Sequence, residues 1–226
     1  LTLLSADNTT DILIVEMAIR KPGDMKLLTQ IVRPNHVVIT NIGRTHVQFF
    51  KHLKQLATEK SNILQNPLNW ENKNRVCYLN ETNTFYEFLL KKAQKKDFQI
   101  LPFKGQNKID ENINLCYTVG RQFDLSDEEI KKGLEKIERS SHRMKSINHQ
   151  DITVIDDTYN SNPDGVQYAL EYIKYLNGRK LVVLGDMLEL GEFSEQAHQQ
   201  AINQASEYGV EVLYTLGEAF NNIKIE

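Results

Sequence analysis

Three residues far apart in the sequence share a chemistry. Glu16 offers a carboxylate, His46 an imidazole and Lys60 an amine in an unusual setting. Lys60 lies four residues after Leu56 and three before Ile63, on the apolar stripe of a helical pattern over 51–64 that also carries Leu53, Ala57 and Leu64. A lysine facing inward must snorkel, pair or lose its charge. As a neutral amine it could take up carbon dioxide and become an anionic carbamate. An oxygen, an imidazole and a carbamate would suit a hard cation such as Mg²⁺, which proteins hold with few ligands of their own. The bland readings are a snorkelling Lys60 and an ordinary surface His46.

Those residues must be placed by their elements. Asp11–Glu16 (DILIVE) reads as a buried strand, 23–32 as a helix closed by Arg33-Pro34, and His36–Asn41 (HVVITN) as a second strand. A strand over 75–79 and helices over 84–95 and 126–137 follow. The last is announced by Ser126 and Glu129, a capping box. A second series begins with a strand at 152–157 (ITVIDD). It continues with a helix at 163–176 opened by Pro163, a strand at 181–186, a helix at 194–208 and a strand at 210–216. Strands alternating with helices predict an α/β protein with parallel sheets covered on both faces. The break near 140–146 divides it into domains 1–140 and 141–226. Ligands of open parallel sheets bind at the carboxyl ends of strands. That rule selects Glu16, Asn41 with the 42–46 loop, Asp156, Asp157 and Asp186, each of which alone could be no more than a solvated cap.

Bulk composition excludes several classes. The 226 residues carry a net charge of −3, so no basic surface awaits nucleic acid. No apolar run approaches the ~20 residues of a membrane span. The start does not resemble a signal peptide, and two cysteines are too few for a disulfide framework. A cytoplasmic protein is expected, without nucleic-acid or membrane partners. No G-x-x-x-x-G-K-[ST] run is present, and Gly178-Arg179-Lys180 is a turn before a strand.

The runs VEMAIRKPGDM, ITNIGRTH, ATEKSNIL, IDDTYNSNPDG and LGDMLELGEFSEQAH follow one another in an order that resembles the Mur ligase family, in its D-alanyl-D-alanine-adding branch. The resemblance implies a partial central ATPase domain followed by a partial Rossmann-like C-terminal domain. It implies an ATP-dependent amide ligase of peptidoglycan precursor synthesis, with UDP-N-acetylmuramoyl-tripeptide and D-alanyl-D-alanine as substrates and ATP and Mg²⁺ as cofactors. In such ligases ATP phosphorylates the peptide carboxylate, and an amine displaces the phosphate from the acyl phosphate.

By matching position, Glu16 and His46 resemble the metal ligands and Lys60 the carbamylated lysine. Arg143 resembles the arginine on the ATP phosphates, and Asp157 the aspartate on the ribose. Asn160 and Asn162 face nucleotide or dipeptide, and Asn114 matches an asparagine near adenine. Lys60, His46 and Arg143 would thus be the catalytic residues. Glu111 stands where an asparagine is usual, and the stretch 99–114 looks shortened. With the phosphate cradle absent and the C-terminal domain about half of its usual ~100–150 residues, the chain is expected to be truncated at both ends and, for want of the cradle, inactive alone. Open sheet edges should favour self-association. Two other readings stay open: a folylpolyglutamate synthase-like ligase, and a non-catalytic remnant or split-gene half.

Overall fold

The computed structural model describes residues 2–43, 47–65, 74–137 and 142–223. They form two units, one of residues 1–42 and 50–136, the other of 43–49 and 137–226.

The first unit opens with α1 (Asp24–Val32), followed by β1 (His36–Ile39) and α2 (Leu53–Lys60), which tightens into a 3-10 turn over Ser61–Leu64. Then come β2 (Val76–Asn80), α3 (Tyr86–Gln94), β3 (Gln99–Phe103), α4 (Lys108–Gln122) and α5 (Asp127–Glu135). The three strands pair in parallel in the order β1-β2-β3, with Val37 opposite Cys77 and Cys77 opposite Ile100. All five residues of β2 are buried. Successive side chains of a strand point to opposite faces. Cys77 and Leu79 therefore join a core with Val37, Ile39, Met25, Leu56, Ala57 and Leu89. Val76 and Tyr78 meet Phe103, Leu115 and Val119 on the other side. Burial pushes the Cys77 thiol and the Tyr78 phenol up to about 12.

Helix ends are satisfied locally. The capping box of α5 forms as the sequence suggests, with Ser126 and Glu129 each serving the other's backbone N–H. Asn107 caps α4 by accepting from Ile109 and Asp110 N–H. Helix α1 has no side-chain cap of its own, since Gly23 precedes it in a left-handed conformation. Buried Glu59 of α2 instead accepts the Met25 N–H at 2.9 Å and, through its other oxygen, the Asn62 amide at 3.2 Å.

The second unit holds β4 (Lys145–His149), β5 (Ile152–Asp156), α6 (Pro163–Lys174), β6 (Leu181–Gly185), α7 (Ser194–Glu207), β7 (Val212–Leu216) and α8 (Glu218–Asn221). Strands β6 and β7 are parallel, with α7 as their crossover. Asn162 caps α6 and Pro163 opens it.

The structure corrects three expectations. Residues 11–16 form no strand: Ile12 and Ile14 are exposed, and no ladder partner lies beside them among the described residues. An apolar run becomes a strand only where another backbone satisfies its N–H and C=O groups. The strand at 152–156 does not open a parallel series. It pairs antiparallel with β4 across Gln150-Asp151, a loop of hairpin length. Strand β4 (KSINH) went unread because its residues are all exposed, leaving no apolar alternation. The sheet of β6 and β7 is not covered on both faces, since Leu181, Val183, Tyr214 and Leu216 are exposed. The stretch 99–114 holds β3 and the start of α4. No described helix is long and apolar enough to cross a membrane, and Cys77 and Cys116 are both free.

Glu59→Leu removes the acceptor for the Met25 N–H in a buried place. We expect it to lower the unfolding free energy by about 2–3 kcal/mol, the range for hydrogen bonds to charged groups. Glu59→Gln, which keeps a carbonyl oxygen, should lose less, and urea unfolding of both variants checks the order.

Candidate functional site

Polar groups gather where β1 and β2 of the first unit end. Asn41 follows β1, Asn80 closes β2, Thr82 and Asn83 lie just beyond, and Glu111 reaches in from the first turn of α4. Buried Glu111 accepts from the Thr82 hydroxyl, from Lys108 Nζ at 3.1 Å and from the Asn41 amide at 3.3 Å. Asn80 Oδ1 accepts from Thr82 N–H and hydroxyl, while its buried Nδ2 meets no partner among the described residues. Gly105 makes the approach of α4 possible, because a Cβ there would lie 2.2 Å from the Glu111 nitrogen. Sequence reasoning noted Glu111 only as a departure and passed over Asn80 and Thr82. The signal that could have found them is their place at a strand's carboxyl end.

The residues singled out for a metal fare unevenly. Glu16 is exposed and lies on extended chain rather than at a strand end. Lys60 is the last residue of α2 and half-buried, as its stripe suggested, and burial lowers its ammonium below the ordinary lysine value. No hydrogen bond or ion pair joins it to Glu16, and no three described His, Cys, Asp or Glu residues cluster as a metal site. His46 lies outside the described residues. By chemistry alone a carboxylate and a carbamylated lysine would be donors for a hard cation, but among the described residues nothing brings Glu16 and Lys60 to one point.

In the second unit Asp157 is tied to the chain neighbour of Arg143. Asp157 Oδ1 accepts the Met144 N–H at 3.0 Å, and the Arg143 guanidinium sits 4.1 Å from the centre of the Tyr159 ring. Asp156 binds His142 Nδ1 at 2.7 Å and takes both N–H and hydroxyl of Thr158. The Thr158 hydroxyl foremost, then His142, hold the Asp156 carboxyl below its ordinary value. Asn160 is exposed nearby, whereas Asn162 spends its side-chain oxygen on the Gly165 N–H as the cap of α6. In the first unit, Asn114 is exposed on α4 and donates to the Lys104 carbonyl at 2.7 Å.

Asp186 has a structural occupation. Its carboxylate accepts the N–H groups of Ala219 and Phe220, closing the turn after β7. Gly217, at φ 120°, leaves it room, since a Cβ there would lie 2.2 Å from that carboxylate. Fully buried His198 accepts the Met187 N–H through Nε2, so Nδ1 carries the proton that faces the Ser194 carbonyl at 2.7 Å. Together they fix the LGDMLELG run that follows β6.

Comparison with known proteins gives this arrangement a place. Residues 1–161 match the Mur ligase middle domain and residues 142–225 the Mur ligase, glutamate ligase domain. The chain belongs to the Mur ligase family. It is 25% identical over 259 residues to the UDP-N-acetylmuramoyl-tripeptide–D-alanyl-D-alanine ligase of Borreliella burgdorferi, covering 99% of this chain and 54% of that one. It is 28% identical over 255 residues to the enzyme of the same name from Rickettsia prowazekii, covering 96% and 56%. The chain thus spans about half the length of the curated relatives it matches.

Among solved structures, MurF from Acinetobacter baumannii superposes with a TM-score of 0.80 at 22% identity, over 89% of this chain and 51% of that one. MurF ligase from Thermotoga maritima in complex with ADP gives 0.69 at 19%, over 89% and 57%. The folylpolyglutamate synthase of L. casei lies further off, at 0.55 and 12% over 85% and 60%. The Mur ligase fold is therefore this chain's fold, and the folylpolyglutamate synthase resembles it less.

Burial raises the Glu111 carboxyl, but Thr82, Lys108 and Asn41 together outweigh it and hold the group below its ordinary value of 4.5. A carboxyl lowered by folding stabilises fully above its unfolded value, and that contribution is lost as pH falls through the folded one. Thermal midpoints of wild type and Glu111→Gln should therefore differ most at neutral pH and converge below about pH 4. A constant gap across that range would show that the Glu111 charge does not matter.

Proposed function

We propose that this chain is part of an ATP-dependent ligase that joins D-alanyl-D-alanine to UDP-N-acetylmuramoyl-tripeptide through an acyl phosphate, in the making of peptidoglycan precursors. On this reading residues 1–140 belong to the central ATP- and metal-binding domain and 141–226 to the C-terminal ligase domain. The observation that supports it is the hydrogen bond from the Met144 N–H to Asp157, 13 residues on, which ties the chain neighbour of Arg143 to Asp157; the resemblance matches both Arg143 and Asp157 to nucleotide contacts. The names of the relatives, and the order of the five motif runs, supply the substrate class.

The residues divide the work as follows. Arg143 would present guanidinium N–H groups to phosphate oxygens, where charge-assisted hydrogen bonds are strongest. The Asp157 oxygen not engaged by Met144 is left for a ribose hydroxyl. Asn160 faces nucleotide or dipeptide, and Asn162 contributes chiefly by fixing the start of α6. Asn114 is the candidate near adenine. Glu16, His46 and Lys60, the last as a carbamate, would hold Mg²⁺, which when bound neutralises phosphate charge. Catalysis is then mainly positioning and charge neutralisation. The exposed apolar face of β6 and β7 supports self-association as an additional property.

Titration calorimetry with Mg²⁺–ATP tests the reading. The chain should bind nucleotide, and Arg143→Ala should weaken binding roughly tenfold to a hundredfold, the worth of a charge-assisted hydrogen bond. Because the 226 residues hold no phosphate-cradle run, steady ATP turnover by the chain alone is not expected. Absence of any heat at millimolar Mg²⁺–ATP would sink the nucleotide role. Sustained phosphate release would refute the expected inactivity.

A further inference from the structure

Residues 142–144 form a bend of an uncommon kind. His142 has φ 66° and Met144 φ 48°, so both neighbours of Arg143 lie in the left-handed region without being glycine. Such conformations cost free energy and persist only where surrounding contacts over-determine them, which is most often at functional positions. Here three restraints come from one short segment at the end of β5. Asp156 Oδ2 engages His142 Nδ1 at 2.7 Å, Asp157 Oδ1 accepts the Met144 N–H at 3.0 Å, and the Tyr159 N–H donates to the His142 carbonyl at 3.0 Å.

Tyr159 acts twice. Its backbone holds the bend, and its ring lies under the guanidinium that the bend presents, 4.1 Å away. The ring is 64% exposed, so burial does not explain its place. Arg143 forms no hydrogen bond or ion pair with any described residue, so among these its five N–H donors are uncommitted while the aromatic face of Tyr159 holds the group. A long, flexible cation held this way loses less rotamer freedom on binding an anion than one free in water.

We propose that Tyr159 is a positioning residue, whose ring holds the Arg143 guanidinium in place to receive a nucleotide phosphate. This rests on the nucleotide reading given above. His142, Asp156 and Asp157 set the bend, and Tyr159 sets the side chain that the bend carries.

The test compares Tyr159→Leu and Tyr159→Phe in Mg²⁺–ATP calorimetry, alone and combined with Arg143→Ala. The leucine variant should weaken binding about three- to fivefold, the worth of an exposed cation–π contact, while phenylalanine should bind as wild type does. In the Arg143→Ala background Tyr159→Leu should have no further effect, because the ring acts through the arginine. Equal weakening in both backgrounds, or none in the wild-type background, overturns the proposal.

A second readout does not depend on nucleotide. The Arg143 Nε–Hε resonance in ¹⁵N-correlated NMR should be shifted by the ring current in wild type and Tyr159→Phe, and return to the exposed-arginine position in Tyr159→Leu. If wild type binds no nucleotide but the resonance is shifted, the stack stands and the nucleotide reading fails. An unshifted resonance in wild type overturns the stack itself.

Discussion

A parallel strand cannot be reached by a tight turn, and the first unit is organised around that constraint. Strand β2 is paired on both edges and buried on both faces, so its neighbours must arrive through helices. Helices α1, α2 and α3 supply the apolar contacts on one side and α4 those on the other. With the strands aligned one way, their polar ends fall on one rim. Buried Asn80 and Glu111 are then satisfied by their neighbours Asn41 and Thr82. The Nδ2 of Asn80, which has no partner among the described residues, marks where that mutual satisfaction is incomplete.

The two units use acidic strand ends differently. In the first, Glu111 is buried and shared among three donors. In the second, Asp156 and Asp157 stay near the surface and hold a bend, while Asp186 caps the turn after β7. The rule that ligands bind at strand ends picked out all three aspartates equally. Only the bend held by the first two carries a side chain, that of Arg143, which rests on an aromatic ring and forms no hydrogen bond or ion pair among the described residues.

Much of this was legible in the sequence, and the reasons are specific. Helices with a capping signal or a clear apolar stripe, such as α5 and α2, were read because their determinants are local. The half-burial of Lys60 followed from helical spacing alone. What escaped depended on partners. DILIVE has the composition of a strand but no ladder beside it, whereas KSINH lacks that composition and pairs because a two-residue loop returns β5 alongside it. Helix α4 was overlooked because its core-facing residues, Leu115 and Val119, are few among polar ones. The resemblance singled out Arg143 and Asp157 one by one, yet nothing in the sequence disclosed the left-handed residues between which Arg143 lies or its stack on Tyr159. His46 falls outside the described residues.

The fit between Asp186 and Gly217 carries a consequence for how this fold can change over time. The carboxylate occupies the volume that any side chain at position 217 would need, and it satisfies two backbone groups that a larger residue would displace. Neither position can drift alone: a side chain at 217 is excluded while the acid remains, and loss of the acid strands the amides of the following turn. Homologous sequences should therefore keep the two together or replace them as a pair, an epistatic coupling between residues 31 positions apart.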